Sequence, residues 1–234
     1  MSKDLHSEID RDHFRKRLLK YLKYTRKAFQ LLPKLHRPRI LDVGCGSGVP
    51  TLELARLSKG EVVGLDIDQS LLDELNRKIE RERLSNCVST RKCSMFEMDF
   101  PDESFDVIWA EGSISAIGFE RGLREWRRLL KPGGFLVVHD VANNMKDEIR
   151  KIPSSGYKLL NRFSLPEDAH WTEYYRPLEI RIEELRARYK NNPEFLQILR
   201  KHQNEVDVVK GNPRKHSSAF YIMQKTSRSI DPKC

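Results

Sequence analysis

The chain has 234 residues, 38% hydrophobic and 33% charged, which suits one domain or one domain with an appendage. No run approaches the eighteen or so apolar residues of a membrane span, and residues 1–12 are too polar for a secretory signal. Cys45, Cys87, Cys93 and Cys234 show no C-x-x-C spacing, so a reduced, cytoplasmic protein is the expectation. There is no P-loop, H-E-x-x-H or paired-cysteine zinc pattern, and no metal is implied.

The net charge of +9 is uneven, at +8 over residues 1–39, −5 over 40–140 and +6 over 141–234. A basic arm can track a phosphate backbone. Yet Phe14, Leu18, Tyr21, Leu22, Thr25, Ala28, Phe29 and Leu32 recur at helical spacing. Residues 1–37 therefore read first as an amphipathic helical cap whose Lys and Arg form the solvated face.

The next segment carries the most information. An apolar run ends at Asp42, glycines alternate at Gly44, Gly46 and Gly48, and Pro50 opens a helix. Alternating glycines permit a sharp turn and close approach of a ligand to bare backbone, and proline suits a first helical turn. About twenty residues on, Val62-Val63-Gly64-Leu65-Asp66 reads as a second strand ending in a carboxylate. In doubly wound folds such an acid accepts hydrogen bonds from ribose hydroxyls. The dinucleotide fingerprint G-x-G-x-x-G needs glycine at its sixth position, where Val49 stands, so a dinucleotide is disfavoured.

Strands are predicted near 39–43, 61–66, 88–92, 105–110 and 133–139, with helices near 50–58, 69–83 and 120–130 between them. Leu123, Trp126, Leu129 and Leu130 share one face of the last helix, and Lys131-Pro132-Gly133-Gly134 reads as its stop and a chain reversal. Sixth and seventh strands are expected at Tyr157–Leu165 and Ser217–Gln224. The link between them, residues 166–215, carries two helical patterns separated by Asn191-Asn192-Pro193. A helical hairpin is the expectation, and an insertion of that length reads as a lid or substrate cap ahead of an oligomer contact or of helices that simply pack on each other and on the sheet.

The run Ile40-Leu41-Asp42-Val43-Gly44-Cys45-Gly46-Ser47-Gly48 resembles the first motif of the class I S-adenosylmethionine-dependent methyltransferases. The resemblance continues through Gly64-Leu65-Asp66-Ile67, Phe105-Asp106-Val107-Ile108-Trp109-Ala110-Glu111-Gly112 and Leu130-Lys131-Pro132-Gly133-Gly134-Phe135-Leu136. It spans residues 38–140 in the expected order. Within that superfamily the chain is similar to a small-molecule, type 11-like group, notably over Glu111–Gly122.

The resemblance implies an α/β, Rossmann-like fold. Its seven-stranded, mostly parallel sheet would have order 3-2-1-4-5-7-6, with helices on both faces, the cap before it and the insertion before the last strand. It also implies a single domain (1–234), with S-adenosyl-L-methionine as cofactor and S-adenosyl-L-homocysteine as product. Asp42, Gly44, Cys45, Gly46 and Gly48 would hold the methionine portion, Asp66 the ribose and Ile67 the adenine face. Ser94 and Met95 would border the adenine edge, although many relatives carry an acid where Ser94 stands.

Ligands in open α/β sheets bind beyond the carboxyl ends of the strands. That rule also selects Glu111, assigned here to the cofactor side, and His139-Asp140. If the acceptor is a hydroxyl, a base must take its proton. His139, His170 and Tyr174 are the catalytic candidates, with Glu111, Glu173 and Tyr175 also placed for it. The cluster Ala169-His170-Trp171-Thr172-Glu173-Tyr174-Tyr175 could wall an acceptor pocket or anchor the lid helices. No Asn-Pro-Pro-Tyr or Asp-Pro-Pro-Tyr follows strand four, and the cysteine arrangement of arsenite methyltransferases is absent. Methylation of a small molecule is the leading reading. Its alternatives are an RNA or protein methyltransferase docking through Arg15, Lys16, Arg17, Lys20 and Lys23, or a cofactor-binding protein without transferase activity.

Overall fold

The computed structural model describes residues 21–141, 145–212 and 217–227, apart from the side chains of 141–148 and 174. A helix α1 (21–30) leads into seven strands: β1 (Arg39–Val43), β2 (Glu61–Asp66), β3 (Val88–Lys92), β4 (Phe105–Glu111), β5 (Leu130–Val141), β6 (Tyr157–Ser164) and β7 (Ser218–Lys225). They form one sheet of order β3-β2-β1-β4-β5-β7-β6, in which β7 runs antiparallel to both neighbours. The order and the single reversal are those expected. The helices are α2 (Val49–Ser58), α3 (Gln69–Arg81), α4 (Ile114–Ile117), α5 (Phe119–Trp126), α6 (Met145–Ser154), α7 (Arg176–Arg188) and α8 (Pro193–Gly211).

Strands buried on both faces read as apolar runs, and here alternate residues feed two cores. Ile40, Val62, Val107, Trp109, Val137 and Phe220 face α1, α2 and α3, meeting Ala28, Leu32, Leu52, Leu72 and Leu75. Leu41, Val63, Ile108, Leu136 and Tyr221 face the other way, against Leu123 and Trp126 of α5 and Ile152 of α6.

Two expectations need correction. The helix expected over 120–130 ends at Trp126, and a 3-10 turn covers Arg127–Leu129. Lys131-Pro132-Gly133-Gly134 lies inside β5, not at a helix stop. Phe105 pairs with Leu130 but Val107 with Phe135, so these four residues bulge from the ladder. Pro132 has no N–H to give a ladder, Gly133 takes φ +72°, and Lys131 closes the bulge with both Asp106 oxygens at 2.9 Å. Helix α6 was not foreseen. Met145, Ile149 and Ile152 do recur at helical spacing in the sequence, but the stripe is short and Pro153 lies within the helix.

The link between β6 and β7 is helical, as expected. A π-helical turn, His170–Tyr175, runs directly into α7, and α8 folds back beside it. The side chain of Asn192 caps α8 by accepting from Phe195 N (3.0 Å). Leu178, Ile182, Leu185, Phe195, Leu199 and Val206 give this hairpin a core of its own.

Candidate functional site

The glycine loop is tied down from three sides. Gly44 N and Cys45 N donate to Leu65 O of β2 (2.8 and 2.9 Å), and Ser113 Oγ, just past β4, donates to Val43 O (2.6 Å). From α3, the buried Lys78 donates to Ser47 O (2.8 Å) while paired with Glu74 (2.7 Å).

The three glycines have different reasons. A Cβ at Gly44 (φ +74°) would lie 2.6 Å from Ser113 Cβ, and one at Gly48 (φ +78°) 2.1 Å from Leu75 Cδ1. Those two are required by packing inside the protein. Gly46 (φ +53°) has nothing within 4 Å of the position its Cβ would take. It is the bare, outward-facing backbone of the loop, the cradle a ligand needs.

Asp66 ends β2 beside that cradle. Its Oδ2 accepts from Gly46 N (2.8 Å) and its Oδ1 from Asp68 N (3.0 Å), which fixes the carboxylate while leaving lone pairs on each oxygen. Asp42 lies beneath, buried, with Oδ2 accepting from Thr51 Oγ1 (2.6 Å). Burial, with the charge of Asp66 adding to it, pushes Asp42 up to about 7. A carboxylate so desolvated is suited to a cationic partner. Cys45 turns its side chain inward, Sγ lying 3.0 Å from where a Gly64 Cβ would be. Burial also pushes this thiol up, so the residue offers the loop only backbone.

Beyond Asp66 the side chain of Ile67 is 69% exposed, while Ser94 and Met95 after β3 are half-buried. Ser94 Oγ accepts from Phe96 N (3.3 Å) and Met95 O from Trp126 Nε1 (3.3 Å). The Met95 methyl carbon lies 3.9 Å from the Cβ position of Gly44. The residues selected from the first three strand ends thus gather at one edge of the sheet.

A second group gathers at the ends of β4 and β5 under α1. Glu111 Oε1 accepts from Trp109 Nε1 (2.7 Å) and from Thr25 Oγ1 of α1 (2.9 Å). Burial, reinforced by Asp42, raises Glu111 to about 7. His139, opposite Glu111 in the β4–β5 register, stacks on Phe220 (4.6 Å between centroids) and lies 6.2 Å from the Tyr21 ring. Its Nε2 is within 2.9 Å of Ser218 Oγ, and burial, then the nearby His170, lowers it to about 3. Burial thus favours the neutral imidazole, held between Phe220 and Ser218.

Helix α1 also meets the π-helical turn. Tyr21 Oη lies 3.2 Å from His170 Nδ1. Tyr24 Oη donates to Glu173 Oε1 (3.0 Å), which Lys23 also reaches (2.7 Å). Glu173 Oε2 is buried with no partner among the described residues. The aromatic cluster divides: His170 and Glu173 face α1, whereas Trp171 and Tyr175 pack on the hairpin core. The side chain of Tyr174 lies outside the described ones.

Of the basic residues of α1, Lys23 pairs with Glu173, Arg26 with the buried Glu53 (2.5 Å), and Lys27 lies 4.3 Å from the Phe163 ring centroid. Arg15, Lys16, Arg17 and Lys20 lie outside the described residues. No described helix is long and apolar enough to cross a membrane. Sequence reasoning singled out neither Lys78 nor Tyr24, and Tyr21 and Thr25 only as members of a helical stripe.

Residues 41–138 match the family model for a methyltransferase domain. The chain is similar to the sterol 24-C-methyltransferase erg6 of Aspergillus fumigatus, 38% identical over 120 residues, covering 49% of this chain and 32% of that one. The curated relatives it matches are longer proteins, of which it spans about a quarter to a half. In three dimensions it resembles the cyclase SpnF (TM-score 0.75, 20% identity, 87% and 80% of the two chains). It also resembles geranyl diphosphate C-methyltransferase from Streptomyces coelicolor A3(2), solved with Mg2+, geranyl diphosphate and S-adenosyl-L-homocysteine. There the TM-score is 0.63 at 16% identity, with 87% and 80% of the two chains covered.

Proposed function

We propose that this chain, which carries a class I S-adenosylmethionine-dependent methyltransferase domain, moves a methyl group from S-adenosyl-L-methionine to a small-molecule acceptor in the cytoplasm. The observation that carries the donor side is the open backbone at Gly46, hydrogen-bonded to the carboxylate of Asp66. Asp42 and residues 44–48 hold the amino-acid end of the donor, Asp66 its ribose, and Ile67, Ser94 and Met95 its adenine. Lys78 keeps the loop in shape from behind.

When bound, the donor supplies a methyl carbon already activated by a sulfonium. The protein's part is then to orient the acceptor behind that carbon and to keep water out. Helix α1 and the π-helical turn do this together, linked through Tyr21–His170 and Tyr24–Glu173. Trp109, Tyr21, His139 and Phe220 supply an aromatic wall. Of the five cations of the docking-arm alternative, Lys23 is paired with Glu173 and the other four lie outside the described residues. The three free cysteines among the described residues suit a reduced compartment.

Two measurements test this. Calorimetric titration with S-adenosylhomocysteine should show Asp66→Ala losing about 1–3 kcal/mol of binding through the ribose hydrogen bonds; unchanged affinity refutes the ribose placement. Labelled methyl from the donor, incubated with a cell extract, should appear in the low-mass fraction. Label in RNA or protein would instead establish the docking-arm alternative, and binding without any transfer the non-catalytic one.

A further inference from the structure

We propose that Glu111 takes the acceptor's proton, and that the acceptor therefore presents a protic heteroatom, a hydroxyl or an ammonium nitrogen, to its Oε2. This rests on the methyl-transfer reading above and moves Glu111 from the donor side of the site to the acceptor side.

The geometry is asymmetric in a telling way. Trp109 Nε1 and Thr25 Oγ1 both donate to the same oxygen, Oε1, and both donor residues are fully buried. No hydrogen bond or ion pair joins Oε2 to a described residue, yet Oε2 is not among the sealed, unpartnered atoms. One oxygen is clamped by two fixed dipoles, and the other has no such bond and keeps some exposure at the end of β4. Asp66 differs, since backbone N–H groups hold both of its oxygens. An orienting clamp with one free oxygen is what a proton acceptor requires.

Position agrees. Glu111 is two residues from Ser113, whose hydroxyl is tied to Val43 O beside the glycine loop, and its carboxyl feels the charge of Asp42, so the end of β4 borders that loop. Of the other candidates, His139 Nε2 lies against Ser218, His170 Nδ1 against Tyr21, and Glu173 has Oε1 held by Tyr24 and Lys23 and Oε2 sealed from solvent. The groups facing Glu111 are Asp42 from β1, His139 from β5 and the neutral Thr25 from α1. Burial and the Asp42 charge bring its titration to about 7, where a base works best at neutral pH.

In the step itself, the electron pair that the departing proton leaves on the acceptor heteroatom forms the bond to the methyl carbon while the carbon–sulfur pair leaves on sulfur. The acceptor's proton passes to Oε2, and the resulting acid later returns the proton to water. Thr25 and Trp109 are positioning residues, acting only through Glu111.

The test uses the full chain with three readouts. These are calorimetric binding of S-adenosylhomocysteine, infrared titration of carbon-13-labelled glutamate, and labelled-methyl transfer into low-mass extract compounds between about pH 5 and pH 9. Glu111→Gln should bind the homocysteine product within about twofold, lose a carboxyl band titrating near neutrality, and transfer methyl about 100-fold more slowly or worse. Thr25→Val should keep product affinity and move the rise of transfer to higher pH, because the lost hydroxyl favoured the ionised carboxylate. Transfer by Glu111→Gln at the wild-type rate, a tenfold loss of product binding in it, or a Thr25→Val profile that does not move overturns the proposal alone. No transfer by the wild-type chain removes the methyl-transfer reading and this one together.

Discussion

Replacing Gly46 and Gly48 separately by alanine distinguishes a glycine kept for a ligand from one kept for packing. Both have positive φ, at +53° and +78°, so both variants carry the left-handed penalty of about 1–2 kcal/mol, reduced by about 0.4–1 kcal/mol because alanine restricts the unfolded chain. For Gly46→Ala nothing else is added, since its Cβ meets no atom within 4 Å, and a loss of about 1 kcal/mol in stability is expected. For Gly48→Ala the new carbon would lie 2.1 Å from Leu75 Cδ1, and Leu75 is fully buried. Overpacking there adds about 1–3 kcal/mol, for a total of about 2–4 kcal/mol. Urea denaturation measures these losses, and calorimetry with S-adenosylhomocysteine measures binding. Gly46→Ala should bind at least about tenfold more weakly, because its methyl group stands in the cradle, a loss of 1.4 kcal/mol or more. A Gly46→Ala protein that binds like wild type, or one destabilised as much as Gly48→Ala, would refute the reasoning that assigns Gly46 to a ligand.

Asp42 makes the ligand-free protein pH-sensitive. Its folded pKa of about 7 lies above the ordinary 3.8, so the native state holds a proton that the unfolded chain has already released. Its contribution is therefore lost as pH rises between roughly 4 and 7, by up to about 4 kcal/mol. Asp42→Asn should flatten that dependence, so that chemical denaturation at pH 5.5 and pH 8 gives a smaller difference than in wild type; equal differences would show that Asp42 ionises freely. Lys78→Met keeps the apolar stem but removes the bond to Ser47 O and the Glu74 partner. We expect about 1–3 kcal/mol of stability lost and several-fold weaker product binding. Unaltered binding would mean that the loop holds its shape without Lys78.

The strand order and the edge at which Asp42, Gly46 and Asp66 meet were legible along the chain. Strand and helix periods, a proline opening α2 and glycines where the chain must turn are local signals, and each segment declares them without its neighbours. Asp42, Gly46 and Asp66 lie within twenty-five residues of one another along a single βαβ unit, so parallel pairing alone brings them together. The bulge at Lys131–Gly134 was misread because the same proline and glycines serve a helix stop or a strand irregularity equally well. Helix α6 is hidden by the shortness of its stripe, Met145, Ile149 and Ile152, and by Pro153 within it.

The edge where α1, Glu111, His139 and the π-helical turn meet came from packing alone. Thr25 meets Glu111 across 86 residues of chain, and Tyr21 meets His170 across 149. No periodicity encodes such pairings; they exist because α1 and the inserted hairpin pack over the same strand ends. The environment then sets the chemistry. Glu111 and His139 stand opposite each other in neighbouring strands, and burial moves their pKa values in opposite directions, to about 7 and about 3. Desolvation penalises whichever form carries charge, an anion for one and a cation for the other, and only the folded chain determines how much water each has lost.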